Sequence, residues 1–509
     1  MLTPQFVLAL SAKLVVDLFA GGGGASTGIE QAIGRHVDIA INHDADAIGM
    51  HEINHPQTRH YQADVWEVDP VLVTAGMPVG LLHASPDCTH HSQALGGQPR
   101  SREIRSLAWV VHRWAGKAMP DVITLENVEQ MLQWSPLVAK RDPATGRVIT
   151  LDKVQDAGGK TVYRVAAPGE VVPRHRQFLV PDKKALGRNW SHFVQGLRDM
   201  GYVVQWRVIC NADLGAHSTR TRLYMVARRD GLPIVWPEPT HAKKPTGQRK
   251  AWRPAADCID WSIPGTSIYG RKKDLAEATM RRIAHGMEKF VLNAAEPFIV
   301  GQQDQAAFIT KFNTGSTGAD LRDPVPTVTA SGGGQGLATA FMVQANGGFN
   351  TTPARDLRDP VSTVTTTGSQ QQLAVAHLAQ YQLSQDDQAG ALRCAAFLMR
   401  YHANGGQWSD LRDPMTTITT RDRLALVTVW LKGEPWVIVD ITLRMLVPRE
   451  LYNAQDFPPS YVIDRTATGK ALTKTAQVRM AGNSVSPLPM RQIVEANYTE
   501  MAVPQRKAA

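Results

Sequence analysis

LVVDLFAGGGGAS, residues 14 to 26, decides the fold. Its first half is an apolar run with paired valines, the pattern of a strand buried on both faces. Four glycines follow and open ASTGIEQAIG (25–34), which has helical spacing. Glycines between a strand end and a helix start let the backbone approach a ligand closely, with amide groups aimed at it. They are not spaced as G-x-G-x-x-G, and the Lys-Ser/Thr pair of a phosphate loop is missing, which argues against a dinucleotide or a nucleoside triphosphate. Phe19 beside the glycines suits a flat ring or an adenosyl group.

Working outward, VDIAINHD (37–44) reads as a second strand, followed by a helix through Ile48 to Asn54. VGLLHAS (79–85) and DVITLEN (121–127) are two more, each with polar residues at its C-terminal end. WSHFVQGLRDMGY (190–202) puts Trp190, Phe193, Val194, Leu197 and Met200 on one helical face, with Gly201 as its cap. VVQWRVI (203–209) and RLYMVA (222–227) close the region. Strands alternating with helices predict an α/β domain with a doubly wound parallel sheet over residues 1–235. Between 135 and 188 the helical period fails and turn-rich pieces such as RDPATGR intervene, so an inserted hairpin or loop is expected there.

From 236 to 440 the pattern changes to short β-like runs and an internal repeat. DLRDPVPTVTA (320–330), DLRDPVSTVTT (356–366) and DLRDPMTTITT (410–420) each follow an Asn/Gly-rich turn, and their Thr/Val tails read as strands of a smaller β-rich domain. Residues 441–509 turn helical again in LVPRELYNAQDFP (446–458) and end on AGNSVSPLPMRQIVEAN (481–497), a loop leading into a helix.

The 509 residues exceed one compact core, and 55 Lys+Arg against 46 Asp+Glu give a formal charge of +9, which suits a polyanionic partner. Between His241 and Phe290 eleven Lys/Arg face five acids, so most of the excess is local. Four scattered cysteines with no C-x-x-C pair argue against a disulfide framework and a structural zinc site, and imply a reducing cytoplasm. No apolar run reaches membrane-spanning length, and FVLALSA (6–12) reads as a lead-in to the first strand. HASPDCTHHS (83–92) leaves three readings of Cys88: a nucleophile, a metal ligand with His90 and His91, or a buried thiol. No further acid or cysteine stands at ligand spacing, which disfavours a metal. His43, His51, His55 and His60 read as loop and helix-surface residues.

DLFAGGGG, the PDC of SPDC (85–88), ENV (126–128), STRTRLYMVA (218–227), LVPRELYNAQDFP and GNSV (482–485), in this order, resemble the motifs of cytosine-5 DNA methyltransferases over almost the whole chain. The resemblance implies a Rossmann-like methyltransferase domain, a target-recognition domain at 236–440 and a C-terminal helix returning to the catalytic domain. It implies S-adenosylmethionine as donor, S-adenosylhomocysteine as product, no metal and double-stranded DNA as partner. It further implies a bacterial cytoplasm, of host or phage origin, with either a restriction endonuclease as a companion or none, and monomer is the default expectation for a two-lobed enzyme that closes on DNA.

Cytosine carbon 5 is a poor nucleophile. Attack by a thiolate, Cys88 in the resemblance, at carbon 6 makes an enamine that can take a methyl group. Glu126 would remain protonated in a desolvated pocket and hydrogen-bond ring nitrogen 3, Arg222 would hold the 2-oxo group, and Arg220 would fix the loop. The target nucleotide must swing out of the duplex. Phe19, Gly21 and Gly23 would surround the cofactor, Asp64 would reach the adenine amino group and Asn483 would lie near the methionine end. The acid that usually follows the second strand is replaced in INHD (41–44), leaving Asp44 as the substitute for the ribose and room for a modified donor. Asp87 stands where a second proline is usual, and His217 and Ser218 where Gln and Pro are common. Phosphate contacts are expected from 243–289, and base contacts from residues such as Asn346, Asn404 and Gln407. The rival readings are an RNA cytosine-5 methyltransferase and a catalytically silent DNA-binding protein on the same fold.

Overall fold

The computed structural model describes residues 13–87, 101, 105–156, 158–300, 308–311, 319–320, 335–344, 353–364, 371–380, 385–402, 428–431 and 434–498. They form two compact units, 1–251 with 455–509, and 252–454. Cys88, His90, His91, Asn346, Asn404, Gln407, FVLALSA, the third repeat and all of the first beyond Asp320 lie outside the described residues.

The first unit is built on strands β1 (Leu14–Leu18), β2 (Ile39–Asn42), β3 (Arg59–Gln62), β4 (Val79–Ala84) and β5 (Val122–Asn127). An insertion carries β6 (Leu137–Ala139), β7 (Ile149–Gln155), β8 (Thr161–Val165) and β9 (Leu179–Pro181), and β10 (Val203–Cys210) and β11 (Thr221–Arg228) complete the sheet. Its order is β10-β11-β5-β4-β1-β2-β3, with β1 to β5 parallel and β11 antiparallel to both β5 and β10. Strand order reverses at β1, the place where open α/β sheets bind ligands beyond their strand C-termini. All five β1 residues are buried, as a strand covered on both faces requires. Val16 and Leu18 join a cluster with Trp114 and Phe193, while Val15 joins Ile29, Val226, Met490 and Ile493. The helices are α1 (Gly24–Ile33), α2 (Ala45–Asn54), α3 (Pro70–Thr74), α4 (Val110–Lys117) and α5 (Arg188–Asp199). On α5, Trp190, Phe193, Val194 and Leu197 are buried, the face that the sequence pattern marks.

The insertion is closed at its base by the antiparallel pair β6–β9, and β7 and β8 form a hairpin within it.

The second unit contains helix α6 (Glu277–Met287), strand β12 (Gln335–Gln344), strand β13 (Gln371–Gln380), helix α7 (Gln385–His402), strand β14 (Glu434–Met445) and helix α8 (Pro448–Ala454). β13 lies between β12 and β14, antiparallel to both. The β-rich reading of this region did not include the helices α6 and α7. Ala391, Cys394, Ala395 and Leu398 of α7 are buried at helical spacing; Cys394 and Leu398 pack with Phe341 and Ile438 of the sheet, and Ala391 with Val437 and Val439. The middle repeat is also corrected: Val361 to Val364 form no strand. Asp356 instead accepts from the backbone of Arg358 (2.8 Å), and the carbonyls of Leu357 and Asp359 accept from Ala256 and Ala255. The repeat is thus a turn that seats Leu357, Val361 and Val364 in the interior ahead of β13.

The break to the second unit falls at 251/252 and the return at 454/455, rather than at 235 and 440. Glu450 explains the later boundary. Its buried carboxylate takes two hydrogen bonds from Arg444 (2.7 and 2.9 Å) and one from the Asp260 amide (2.9 Å), tying α8 to the second unit.

Back in the first unit, α9 (Lys474–Asn483) is followed by α10 (Pro487–Asn497), which packs on α1, and the segment joining them lies against Gly24. A methyl group at Gly24 would strike the Val485 carbonyl and the Ser484 hydroxyl, and one at Gly28 the Pro487 carbonyl. These two positions of α1 must therefore be glycine. Among the described residues no helix is long and apolar enough to cross a membrane.

Candidate active site

Register alone brings the chemistry-bearing stretches together. Leu18 pairs with Ala84, and Ala84 with Leu125, so Phe19 and Ser85, each just past its strand, stand beside Glu126 near the end of β5 at the C-terminal edge of the sheet. The Ser85 amide donates to the Leu18 carbonyl (3.3 Å), its hydroxyl to the Phe19 carbonyl (3.4 Å), and the buried Asn127 side-chain amide to the Pro86 carbonyl (2.9 Å). The chain entering Cys88 is thereby pinned between β1 and β5. Asp87, the residue before it, is exposed. Replacing Asp87 with proline, the family's usual residue there, is expected to leave methyl transfer within about threefold of the native rate, since exposed substitutions usually cost little; complete loss would show that the carboxylate has its own task.

Glu126 is 5% exposed and faces Arg222 Nε at 3.3 Å and Arg220 Nη2 at 3.6 Å. Arg220 is itself 3% exposed, and its Nη1 donates to the Gly482 carbonyl (3.0 Å) in the GNSV segment. Arg222 donates to the Thr221 carbonyl (2.8 Å). The carboxyl is therefore desolvated but does not sit alone in an apolar pocket: two guanidiniums share its space, and each depends on it for compensation of a buried charge. Arg220 links β5, β11 and α9 into one frame.

That frame extends to His217 and to residues the sequence reading did not single out. The His217 amide and ring Nδ1 both bond the Asp456 carboxylate (3.3 and 2.8 Å), and Asp456 has a left-handed backbone (φ 63°). Asn211 donates to the Ser486 hydroxyl (2.7 Å), which donates in turn to Gln455 (2.7 Å). Asp456 and Gln455 belong to NAQDFP, so the matched motif was their only signal.

In the glycine loop, Phe19, Gly21 and Gly23 all have positive φ (62°, 52° and 86°). For phenylalanine this conformation costs on the order of 1–3 kcal/mol, a strain typical of ligand loops. The space beside Gly21 is open, a Cβ there meeting only the Phe19 carbonyl at 3.6 Å, so the loop can admit a ligand against its backbone. Gly23 instead backs onto Tyr461 and His55. Asp64 follows β3, exposed, and accepts from the Trp66 amide (2.9 Å). Asp44 follows β2 with both oxygens engaged: Oδ1 caps α2 through the amides of Asp46 and Ala47 (2.9 and 3.2 Å), and Oδ2 pairs with Arg479 (2.8 Å). Asn483, exposed, ends α9 beside the Gly482 carbonyl that Arg220 holds.

Behind the loop lies a buried polar chain. Ser26 donates to Asp17 (2.7 Å), His51 Nε2 lies 2.9 Å from the Ser26 hydroxyl, and His51 Nδ1 lies 2.7 Å from His60 Nε2. His55 pairs with Glu30 (3.0 Å) and contacts the Tyr461 hydroxyl (3.2 Å), which donates to the Gly22 carbonyl (2.7 Å). His51 and His55 are 0% and 2% exposed, so their reading as surface residues is corrected: the face of α2 that carries them packs under the glycines.

Burial pushes the Asp17 carboxyl up to about 7, and burial also holds His51 well below the usual histidine range and His60 at about 4. A carboxyl whose folded value is raised stabilises the fold while protonated, and that contribution fades as pH climbs from the unfolded value toward the folded one. Asp17→Asn keeps an acceptor for Ser26 and cannot ionise. It is expected to gain up to about 3 kcal/mol on the native chain as pH rises from about 5 to about 8. Urea denaturation at both pH values measures the gain, and a constant difference would mean that Asp17 is ionised throughout.

The model of the family described as "C-5 cytosine-specific DNA methylase" matches residues 14–136 and 177–498. The Type II methyltransferase M.AquIA of a Picosynechococcus strain is 22% identical over 271 residues, 50% of this chain and 90% of that protein. M.NaeI of Lentzea aerocolonigenes, also a Type II methyltransferase, is 26% identical over 271 residues, 51% of this chain and 53% of that protein, so the match spans only about half its length. A solved structure of a DNMT2 mutant from Spodoptera frugiperda aligns with 95% of this chain and 99% of its own at 13% identity and a TM-score of 0.45. With a family match covering nearly the entire chain on both sides of the insertion, the protein belongs to the C-5 cytosine-specific DNA methylase family.

Proposed function

We propose that the chain transfers a methyl group from S-adenosylmethionine to carbon 5 of a cytosine swung out of duplex DNA at a defined sequence, working as a monomer in a bacterial cytoplasm. The observation that carries this reading is the meeting of Glu126, Arg220 and Arg222 at the strand edge where Asn127 holds the segment leading into Cys88.

Cys88, as thiolate, adds to carbon 6 of the ring, and the carbon 5–carbon 6 π electrons become nucleophilic at carbon 5. Glu126, taking up a proton as the base enters, donates a hydrogen bond to ring nitrogen 3 and offsets the charge that develops there, within a water-poor site where such a bond is worth more than in solvent. Arg222 holds the 2-oxo group. Arg220, bonded to Gly482, positions both Glu126 and the GNSV segment. The bound cofactor supplies an electrophilic sulfonium methyl group. Phe19, Gly21, Gly23, Asp64 and Asn483 would hold it, and the open face of Gly21 supports that fit. For the ribose, Asp44 would have to give up its bond to Arg479. Once carbon 5 carries the methyl group, its proton leaves to water, the electrons of that bond reform the ring double bond, and the Cys88 sulfur departs from carbon 6.

Bisulfite sequencing of DNA from a host expressing the protein tests the reading. Protected cytosines confined to one sequence context are expected, and labelled methyl transfer to duplex DNA rather than tRNA. Unprotected DNA together with labelled tRNA would contradict the DNA substrate.

A further inference from the structure

The family match skips residues 137–176, and this stretch is most of the insertion. Eight Lys/Arg face four acids within it. Two of those acids, Asp152 and Glu170, are neutralised by Arg164 and Arg176. Asp142 and Asp156 cap local turns, accepting from Thr145 and from the amides of Gly158 and Lys160. The remaining surface is cationic.

Where the insertion joins the sheet unit it completes a cavity of about 340 Å³. Arg105, Trp109, Trp134 and Ser135 form one wall, from stretches the family model matches, and Arg174 of the insertion closes it. None of its lining residues is acidic. Trp109 and Trp134 lie 5.2 Å apart at 48°, and the Arg105 guanidinium, 5% exposed, is fixed by its bond to the Ser135 carbonyl (3.2 Å). Ser135 is 1% exposed, and its hydroxyl has no hydrogen-bond partner among the described residues. An unpartnered buried hydroxyl is costly unless a ligand or water completes it. Arg174 is exposed and makes no ion pair among the described residues.

The cavity also has a telling address. Its Trp134 wall lies just downstream of Glu126 on the chain leaving β5, and Arg105 and Trp109 stand on the chain returning from Cys88.

We propose that this cavity is a second DNA-contact site, in which Trp109, backed by the buried Trp134, takes a base of the strand flanking the target and the exposed Arg174 takes its phosphate. Flat base faces stack on tryptophan irrespective of sequence, and guanidiniums pair with phosphate in bidentate fashion. This rests on the DNA reading above and adds to it a ligand class, a nucleotide unit outside the target position.

Binding of a fluorescein-labelled DNA duplex, followed by anisotropy over a series of salt concentrations, tests it. Arg174→Ala is expected to weaken binding roughly three- to tenfold at moderate salt and to lower the slope of log Kd against log salt by about one, the loss of one phosphate contact. Lys160→Ala, an equal charge loss at the exposed β7–β8 turn, should keep the native slope. In the unaltered enzyme, 5-iododeoxyuridine scanned along the flanks should photocrosslink to the peptide bearing Trp109. An unchanged slope in Arg174→Ala, an equal drop in Lys160→Ala, or crosslinks confined elsewhere would each overturn the assignment. Methyl transfer to DNA by the unaltered enzyme, measured alongside, separates this outcome from failure of the proposed activity itself.

Discussion

Cys88→Ser is expected to lower methyl transfer to DNA by at least roughly a thousandfold while leaving DNA binding close to native. A serine hydroxyl stays protonated at neutral pH, whereas a cysteine thiol ionises within reach of it and is intrinsically far more nucleophilic. Without addition at carbon 6 the ring offers no carbanion-like carbon 5 to the methyl donor. Filter-bound labelled methyl groups after incubation with duplex DNA measure the loss, and a variant retaining a tenth or more of the native rate would remove the thiol from the reaction.

Glu126→Gln is expected to lower the rate by roughly a hundredfold to ten-thousandfold, the range for loss of a positioned acid–base group. It carries a structural effect as well. Arg220 and Arg222 both approach the Glu126 carboxylate in a site where all three are at most about a tenth exposed, so neutralising it leaves two buried cations uncompensated. Breaking a buried pair in this way costs about 3–5 kcal/mol, less whatever the amide oxygen still supplies. The two effects separate in measurement: denaturation reports the second, and single-turnover transfer at a temperature where the variant is folded reports the first. A folded Glu126→Gln protein with native turnover would leave the carboxylate with a purely structural task.

The sheet was legible in the sequence because its strands are apolar on both faces. LVVDL, VGLLHA and VITLEN could be little else, and each ended where the chemistry-bearing residues begin. β3, RHYQ, was not legible: it is an edge strand with no buried residue, and its assignment depends on pairing with β2. α7 escaped notice although Ala391, Cys394, Ala395 and Leu398 carry helical spacing, because the repeats on either side drew the reading toward strands. The Thr/Val tail of the middle repeat shows the opposite error, since β-branched residues there serve a buried turn.

For the site, residue type and order sufficed to bring out Glu126, Arg220 and Arg222, and the fold brings both guanidiniums within 3.3 to 3.6 Å of the carboxylate. The helix cap and ion pair that occupy Asp44 were invisible, because Arg479 is 435 positions away in the chain. The histidine layer was missed for a similar reason. A histidine on a helix gives no sign of which face will be covered until Ser26, Tyr461 and the glycine loop are folded against it.

Mass spectrometry of the protein after incubation with S-adenosylmethionine and duplex DNA carrying 5-fluorocytosine tests the central claim most directly. The fluorine cannot leave as the proton does, so the account predicts an accumulating species with the mass of chain, DNA and one methyl group, its crosslinked peptide containing Cys88. Efficient methylation of ordinary cytosine DNA with no such species, or a crosslink mapping to a different residue, would contradict it.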